Sequence, residues 1–353
     1  MGMGATFLPG GRMTGIGSLP IKKPEAAVAF VARFCPEIPF WPQLLRRSRR
    51  EAMVPQALGT LTKAIEKRKE SYGYNILPDR LAWLEEGLAC EAVQLTELHA
   101  AGFFAFERAL EAGHFPHAIA LKGQLVGPIT LAGQLFVEGK PLARQADWLA
   151  KIGHYVACLA RWQVRRLQRH SLPVVLMVDE PALLMANPEG DHAAADRLIA
   201  ALREVVAAIQ AAGGIAGIRC WGGFPVWSIP LLKPDVISFD AYHELETVLS
   251  AEETQHFMQA GGVMAFGMVP SWPEVDTLTA EALLQRWKRG VAPILAPRRA
   301  AQQTIITTTH GLGLLDDQAA EISFRLAKRL SRLLRARFPQ AVAPPLSGAP
   351  TPS

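Results

Sequence analysis

The residues of this chain whose types can do chemistry fall at the ends of short apolar runs. Asp179 and Glu180 close "LPVVLMVDEP" (172–181), and Arg219, Cys220 and Trp221 close "GIAGIRC" (214–220) and open its glycine turn. Asp240 and Tyr242 close "DVISFDAY" (235–242), and His310 closes "QQTIITTTHG" (302–311). Lys122 ends "HAIALKG" (117–123) and Gln124 follows it, while Gly17 and Ser18 sit in "MTGIGSLP", Gln43 ends "IPFWPQ", and Ser271 and Trp272 follow "GVMAFGMVP" (262–270). Paired carboxylates suit proton transfer or the capture of an ammonium group, a guanidinium grips a carboxylate bidentately, and imidazole serves as a base near neutral pH. The indoles of Trp41, Trp221 and Trp272 offer flat stacking walls or plain core packing. Each residue also has a structural reading: a strand-end Asp can cap the next helix, and an Asp179–Glu180 pair can close an ion network. The gathering of polar groups at nearly every run end, on otherwise apolar runs, points to one cleft.

The elements that must position these residues follow from periodicity. Eight apolar runs are each followed by an amphipathic stretch, among them a long helical region through about residue 112, "LARQADWLAKIGHYVACLARWQVRRLQRH", and "DQAAEISFRLAKRLSRLLRARF". Several runs are continuously apolar, as strands buried on both faces are. Eight strand–helix repeats in 353 residues predict a single (β/α)8 TIM barrel over 13–338. Residues 1–12 are expected to be irregular and the Pro-rich 339–353 to be a disordered tail. No dinucleotide fingerprint is present, because "GIGSLP" runs into Pro20 instead of a helix. In a barrel of this kind the chemistry belongs at the C-terminal ends of the strands.

Composition narrows the function classes. The net charge is +5 with a pI near 9.1. The basic runs "LLRRSRRE" and "RWQVRRLQRH" lack an aromatic-rich binding module and have the spacing of solvated helix faces, so no nucleic-acid partner is expected. Four separated cysteines without a C-x-x-C pair suit a reducing compartment, and no apolar run is long enough for a membrane span. A cytoplasmic protein without a membrane partner is the expectation.

"TGIGSLP", "FWPQL", "KGQLVGPITLAG", "VDEPAL" and "DVISFDAY", in this order over residues 13–338, resemble the catalytic-domain barrel of cobalamin-independent methionine synthase, a branch of the uroporphyrinogen-decarboxylase-like superfamily. The resemblance implies a methyltransferase in which zinc holds an accepting thiol as thiolate and a folate or a methyl-corrinoid donates the methyl group. It also implies a small-molecule substrate, with a carboxylate at the turn of Gly17 and Ser18 and an amino acid beside Asp179 and Glu180; the residues themselves add Lys122, Arg219, Trp221 and Tyr242 as substrate-binding candidates and Asp240 and His310 to the catalytic set. Asp179 would receive an ammonium group, and Glu180 would move a proton or pair with Lys122. The chain spans one barrel, so a separate corrinoid or methyl-carrier protein is the partner this implies.

The family's zinc ligands fall on Arg219, Trp221, His310 and Asp240 here. Arg has no free lone pair and indole offers only an N–H, so neither can bind zinc. Strand alternation turns Cys220 towards the helices as a small buried hydrophobe, whereas a local bulge would turn it inward and build a Cys220/Asp240/His310 site with one open position. Two further readings stand beside methyl transfer. One is a non-catalytic corrinoid, tetrapyrrole or small-acid binder, with His310 as base or axial ligand. The other is a metal-free decarboxylase, which the "THG" ending resembles.

Overall fold

The computed structural model describes residues 7–69, 72–186, 191–271 and 274–339. Six parallel strands form one curled sheet: β1 (Leu121–Val126), β2 (Val174–Asp179), β3 (Ile215–Arg219), β4 (Val236–Phe239), β5 (Val263–Val269) and β6 (Thr304–Thr308), each pairing with the next in sequence order. These are the last six of the eight expected strands. Nearly every residue in them is buried, the signature of strands covered on both faces.

The first two runs depart from the expectation of a closed eight-stranded barrel. They are extended segments joined to their neighbours by isolated parallel bridges, Met13–Ile306, Ser18–Gln43 and Phe40–Lys122. The fold is therefore a TIM-like parallel half-barrel of six strands. The sequence explains the interruption: Pro39 and Pro42 have no N–H to give a ladder, and Gly17 takes φ 152° with the Gln124 side chain against it, 2.8 Å from where a Cβ would sit. Residues 10–12, expected to be irregular, are tied to the sheet, with Gly11 N donating to Thr304 O at 2.8 Å.

A second correction concerns residues 53–112. Instead of one long helical region, short helices at Met53–Leu58, Leu81–Leu88 and Ala101–Glu111 flank a small four-stranded sheet of Ile65–Lys67, Tyr74–Ile76, Leu135–Val137 and Lys140–Pro141. Gly59 at φ 55° and Gly73 at φ 100° supply the turns. Beyond them, long helices at Ala146–Gln168, His192–Ala211 and Asp317–Arg337 cover the outer face of the main sheet. Arg166, in one of the basic runs, pairs with the buried Glu107 at 2.5 Å. Among the described residues no helix is long and apolar enough to cross a membrane. Trp272 and all but the first residue of the expected tail lie outside the described residues.

Side-chain alternation divides the core in two. The outward-facing residues join the helices in the large core, while Ala120, Val175, Met177, Val236, Val263, Ala265 and Ile305 pack together as a small separate cluster inside the curl. Gly217 belongs to this inner face. A Cβ there would sit 2.1 Å from the sulfur of Met177, which fills its place.

Candidate functional site

The inner face carries charge towards the C-terminal strand ends. Lys122, Asp179, Arg219 and Ser238 share the inward parity of the apolar cluster, and the ladders set Asp179 beside Arg219 and Arg219 beside Ser238. The guanidinium of Arg219 lies 3.5 Å from Asp179 Oδ1 and donates to Thr309 O at 3.0 Å. Both side chains are largely covered, at 7 % and 14 % exposure. At 3.5 Å the pair is a charge contact, and Asp179 Oδ1 is buried without a hydrogen-bond partner. Burial raises the Asp179 pKa, while Arg219 and Lys122 pull it down.

Lys122 lies deeper. Its ammonium donates to Ile16 O at 2.7 Å and Gln124 Oε1 at 3.1 Å, and burial lowers its pKa to about 7; nearby Asp179 opposes that shift and Arg219 adds to it. Lys122 and Arg219 line a cavity of about 10 Å³ with Thr14, Met177, Ser238 and Thr307. That is room for about one water. The buried Thr307 Oγ1 has no hydrogen-bond partner.

Above this layer lie the groups of the mouth. His310 is half-buried and meets the Trp221 ring edge-to-face at 5.6 Å between centroids. Burial holds its imidazole below the ordinary value, Arg219 adds to that, and Asp240 pulls the other way. Trp221 is 42 % exposed. Asp240 is buried and caps the helix Ala241–Ser250: Oδ1 accepts from the Tyr242 and His243 amides at 3.1 Å each, and Oδ2 meets His243 Nδ1 at 2.8 Å. Tyr242 packs against His243 and Arg286, to which its carbonyl is bonded. The Ser18 carbonyl accepts from Leu312 N at 2.9 Å and its Oγ accepts from Gly313 N at 3.2 Å, so the turn at Gly17–Ser18 anchors the loop after β6.

Two expected roles change. Glu180 does not pair with Lys122. Fully buried, it accepts from Ile129 N at 2.8 Å, from Thr130 N at 2.7 Å and from the Thr130 hydroxyl. It therefore satisfies the first turn of the helix Pro128–Gly133, where orphan amides and the helix dipole favour a carboxylate. Desolvation outweighs these three bonds and raises its pKa to about 7. Glu180→Ala strands two amides and a hydroxyl; we expect a loss of about 2–4 kcal/mol in urea denaturation, with Glu180→Gln losing less because its amide oxygen still accepts. Equal stability of Glu180→Ala and wild type contradicts the assignment.

The second change is the three-ligand metal site. No bulge turns Cys220 inward: its thiol is buried outside the sheet, near the carbonyls of Pro181 (3.9 Å) and Gly223 (3.8 Å), and burial pushes its pKa up to about 12. Asp240 serves its helix N-cap. Among the described residues no three His, Cys, Asp or Glu side chains group as metal ligands, so Cys220, Asp240 and His310 do not form a zinc site. With Arg219 and Trp221 at the other positions, the donor set does not fit zinc.

Sequence reasoning missed three partners here. Thr309 holds Arg219 through its carbonyl and Ser271 through its hydroxyl, at 3.0 Å in each case. His243 completes the cap on Asp240, and Glu244 accepts from Phe224 N at 3.3 Å. The cap was readable: an Asp directly before an amphipathic run is an N-terminus signal.

No family model and no curated protein matches this chain. Among solved structures, it is similar to a B12-independent methionine synthase from Shewanella sp. W3-18-1 in complex with selenomethionine, at 12 % identity and TM-score 0.56, over 94 % of this chain and 98 % of that one. A GH113 beta-mannanase from Alicyclobacillus acidocaldarius aligns at 13 % identity and TM-score 0.47, over 94 % and 97 %. A putative sugar phosphate isomerase/epimerase from Anabaena variabilis aligns at 8 % identity and TM-score 0.38, over 92 % and 98 %. At 12 % identity the likeness to the methionine synthase shows the fold alone, and the chain is TIM-barrel-like in architecture.

Proposed function

We propose that the mouth binds a small amino acid and that the chain is a methionine-synthase-like methyltransferase acting on a thiol of that substrate. The observation that carries this reading is the Asp179–Arg219 pair on adjacent strand ends. Opposite charges stand side by side, Asp179 Oδ1 has no hydrogen-bond partner among the described residues, and Arg219 has more donors than its partners use. A zwitterion matches that pattern, its ammonium at Asp179 and its carboxylate on the Arg219 fork. The similar methionine synthase is in complex with selenomethionine, a zwitterionic amino acid of the kind this pair would suit.

Without a fitting zinc site, the thiol proton needs another acceptor. His310, neutral at pH 7 because its pKa is lowered, takes it. The sulfur lone pair then forms the S–CH3 bond, and the donor leaves with the electron pair of the bond that breaks. A folate or a methyl-corrinoid on a separate carrier protein supplies the methyl group. Apolar side chains offer such a donor a landing surface. Trp221, Leu184, which lies against Gly223, and its neighbour Met185 (71 % exposed) are exposed, and Leu314 (85 % exposed) stands on the loop after β6.

A second reading, a non-catalytic binder of small acids, is favoured by the replacement of two ligand positions by Arg219 and Trp221. Calorimetric titration with L-homocysteine and L-methionine, followed by a methyl-transfer assay with methylfolate and methylcobalamin, separates them. We expect saturable binding that weakens about ten-fold or more in Asp179→Asn and Arg219→Lys. Binding without turnover by either donor supports the binder. Silence towards both amino acids, with carbon dioxide released from a polycarboxylate, replaces methyl transfer by decarboxylation.

A further inference from the structure

The end of the sheet away from the mouth carries a second cleft, of about 570 Å³, a volume suited to a small ligand. Its walls come from residues that precede the strands, Met13, Glu37 and His117, and from the last helix, at Lys328, Arg332 and Arg335. Its charges do not balance. Glu37 is fully engaged, with Arg12 at 2.8 Å on one oxygen and Arg335 at 2.5 Å on the other. Among the described residues Lys328 donates only to the carbonyl of Arg33, and it sits 5.6 Å from the centre of the Phe34 ring. Arg332 is exposed and has neither a hydrogen bond nor an ion pair among the described residues.

Lys328 and Arg332 are four residues apart on the helix Asp317–Arg337. Like charges at that spacing are neighbours on one face and repel. Burial and the charges of Arg332 and Arg33 hold the Lys328 pKa low. A carboxylate relieves Arg335 and, among the described residues, none pairs with these two, although they line a concave surface with Met13, Phe34 and Pro36.

We propose that this cleft is a binding site for a small phosphate monoester, whose phosphate bridges Lys328 and Arg332 and whose organic part lies on Phe34 and Met13. A phosphate carries close to two negative charges and three acceptor oxygens, so it can meet an ammonium and a guanidinium fork together; a single carboxylate saturates one guanidinium. The exposed His117 stands on the same wall as a further donor. The site is independent of the amino-acid reading of the mouth, from which it is separated by the length of the sheet.

Phenyl phosphate and inorganic phosphate, titrated by calorimetry and followed by NMR on the full chain, test this. We expect saturable binding of both, tighter for phenyl phosphate, that weakens with added salt. Arg332→Gln and Lys328→Gln should each weaken it about ten-fold, and the double variant should abolish it. Arg325→Gln, on the same helix but paired with Glu321 at 2.6 Å, and Asp179→Asn, at the mouth, should leave it unchanged. Neither Lys328 nor Arg332 is in the core, and circular dichroism of each variant is the check that it folds. Undiminished binding in the folded double variant, loss of binding in Asp179→Asn, or no saturation up to about 10 mM phosphate overturns the proposal.

Discussion

Arg219→Ala is expected to lower the stability of the protein by about 3–5 kcal/mol, more than any conservative change in the apolar cluster around it. The reason is the carboxylate left behind. Asp179 sits at 14 % exposure, and its Oδ1 has no hydrogen bond, so its charge is balanced by Arg219 at 3.5 Å and by Lys122. Lys122 can take over only part of that balance: its pKa rises once Arg219 no longer holds it down, but burial still disfavours its ammonium. Removing the guanidinium therefore leaves a buried carboxylate without its nearest countercharge. The carbonyl of Thr309 loses its donor as well. Urea denaturation of Arg219→Ala, Asp179→Leu and the double variant Arg219→Met/Asp179→Leu forms the decisive set. If the pair is a functional device kept at some cost to stability, the apolar double variant matches or exceeds wild type while amino-acid binding disappears. An Arg219→Ala loss below about 1 kcal/mol would mean that Asp179 is neutral in the native protein, and the zwitterion reading of the mouth would fall with it.

How much of this was legible in the sequence depends on how local the signal is. Six continuously apolar runs between amphipathic stretches identify β1 to β6, because strands buried on both faces have no other way to read. The first two runs carry Pro39, Pro42 and Gly17, and a local reading for apolar content passes over what prolines do to a ladder. Strand parity alone sends Arg219 inward and Cys220 outward, and the structure has both so placed. Parity says nothing past the last ladder residue. Asp240 and Glu180 lie one step beyond their strands, where the following helix decides: Asp240 caps its own, and Glu180 caps the helix after the neighbouring strand. The second of these is a contact between residues about fifty apart and leaves no trace in either local sequence. The basic cleft was hidden for a related reason. On a single helix, Lys328, Arg332 and Arg335 look like a solvated face, and only Met13, Glu37 and His117, brought from three other turns, make that face concave.

The charge of Lys122 gives the other large effect, one that runs with pH. Its ordinary pKa of 10.5 falls to about 7 in the folded chain because burial disfavours the ammonium, and the attraction of Asp179 recovers only part of the loss. In the unfolded chain the lysine stays protonated up to about pH 10.5, so between pH 7 and 10.5 the unfolded state binds more protons than the folded one. Stability contributed by the neutral amine is thus fully present above the unfolded value and is lost as pH falls through the folded one. The fall from 10.5 to about 7 corresponds to roughly 4–5 kcal/mol across the window. Other groups titrate nearby: Glu180, raised to about 7, acts in the opposite sense, and Lys328 is lowered as well. The informative quantity is therefore the difference between wild type and Lys122→Met, a side chain of similar length that carries no charge into the cavity. Denaturation of both from pH 6.5 to 10 should show wild type losing stability steadily towards acid while Lys122→Met stays comparatively flat, the curves diverging most at the acid end. Arg219→Ala should reduce this divergence, since Arg219 is one of the charges that hold Lys122 down. Parallel curves would show that Lys122 keeps its proton throughout, with Asp179 and Lys122 forming the true ion pair and Arg219 left free for substrate.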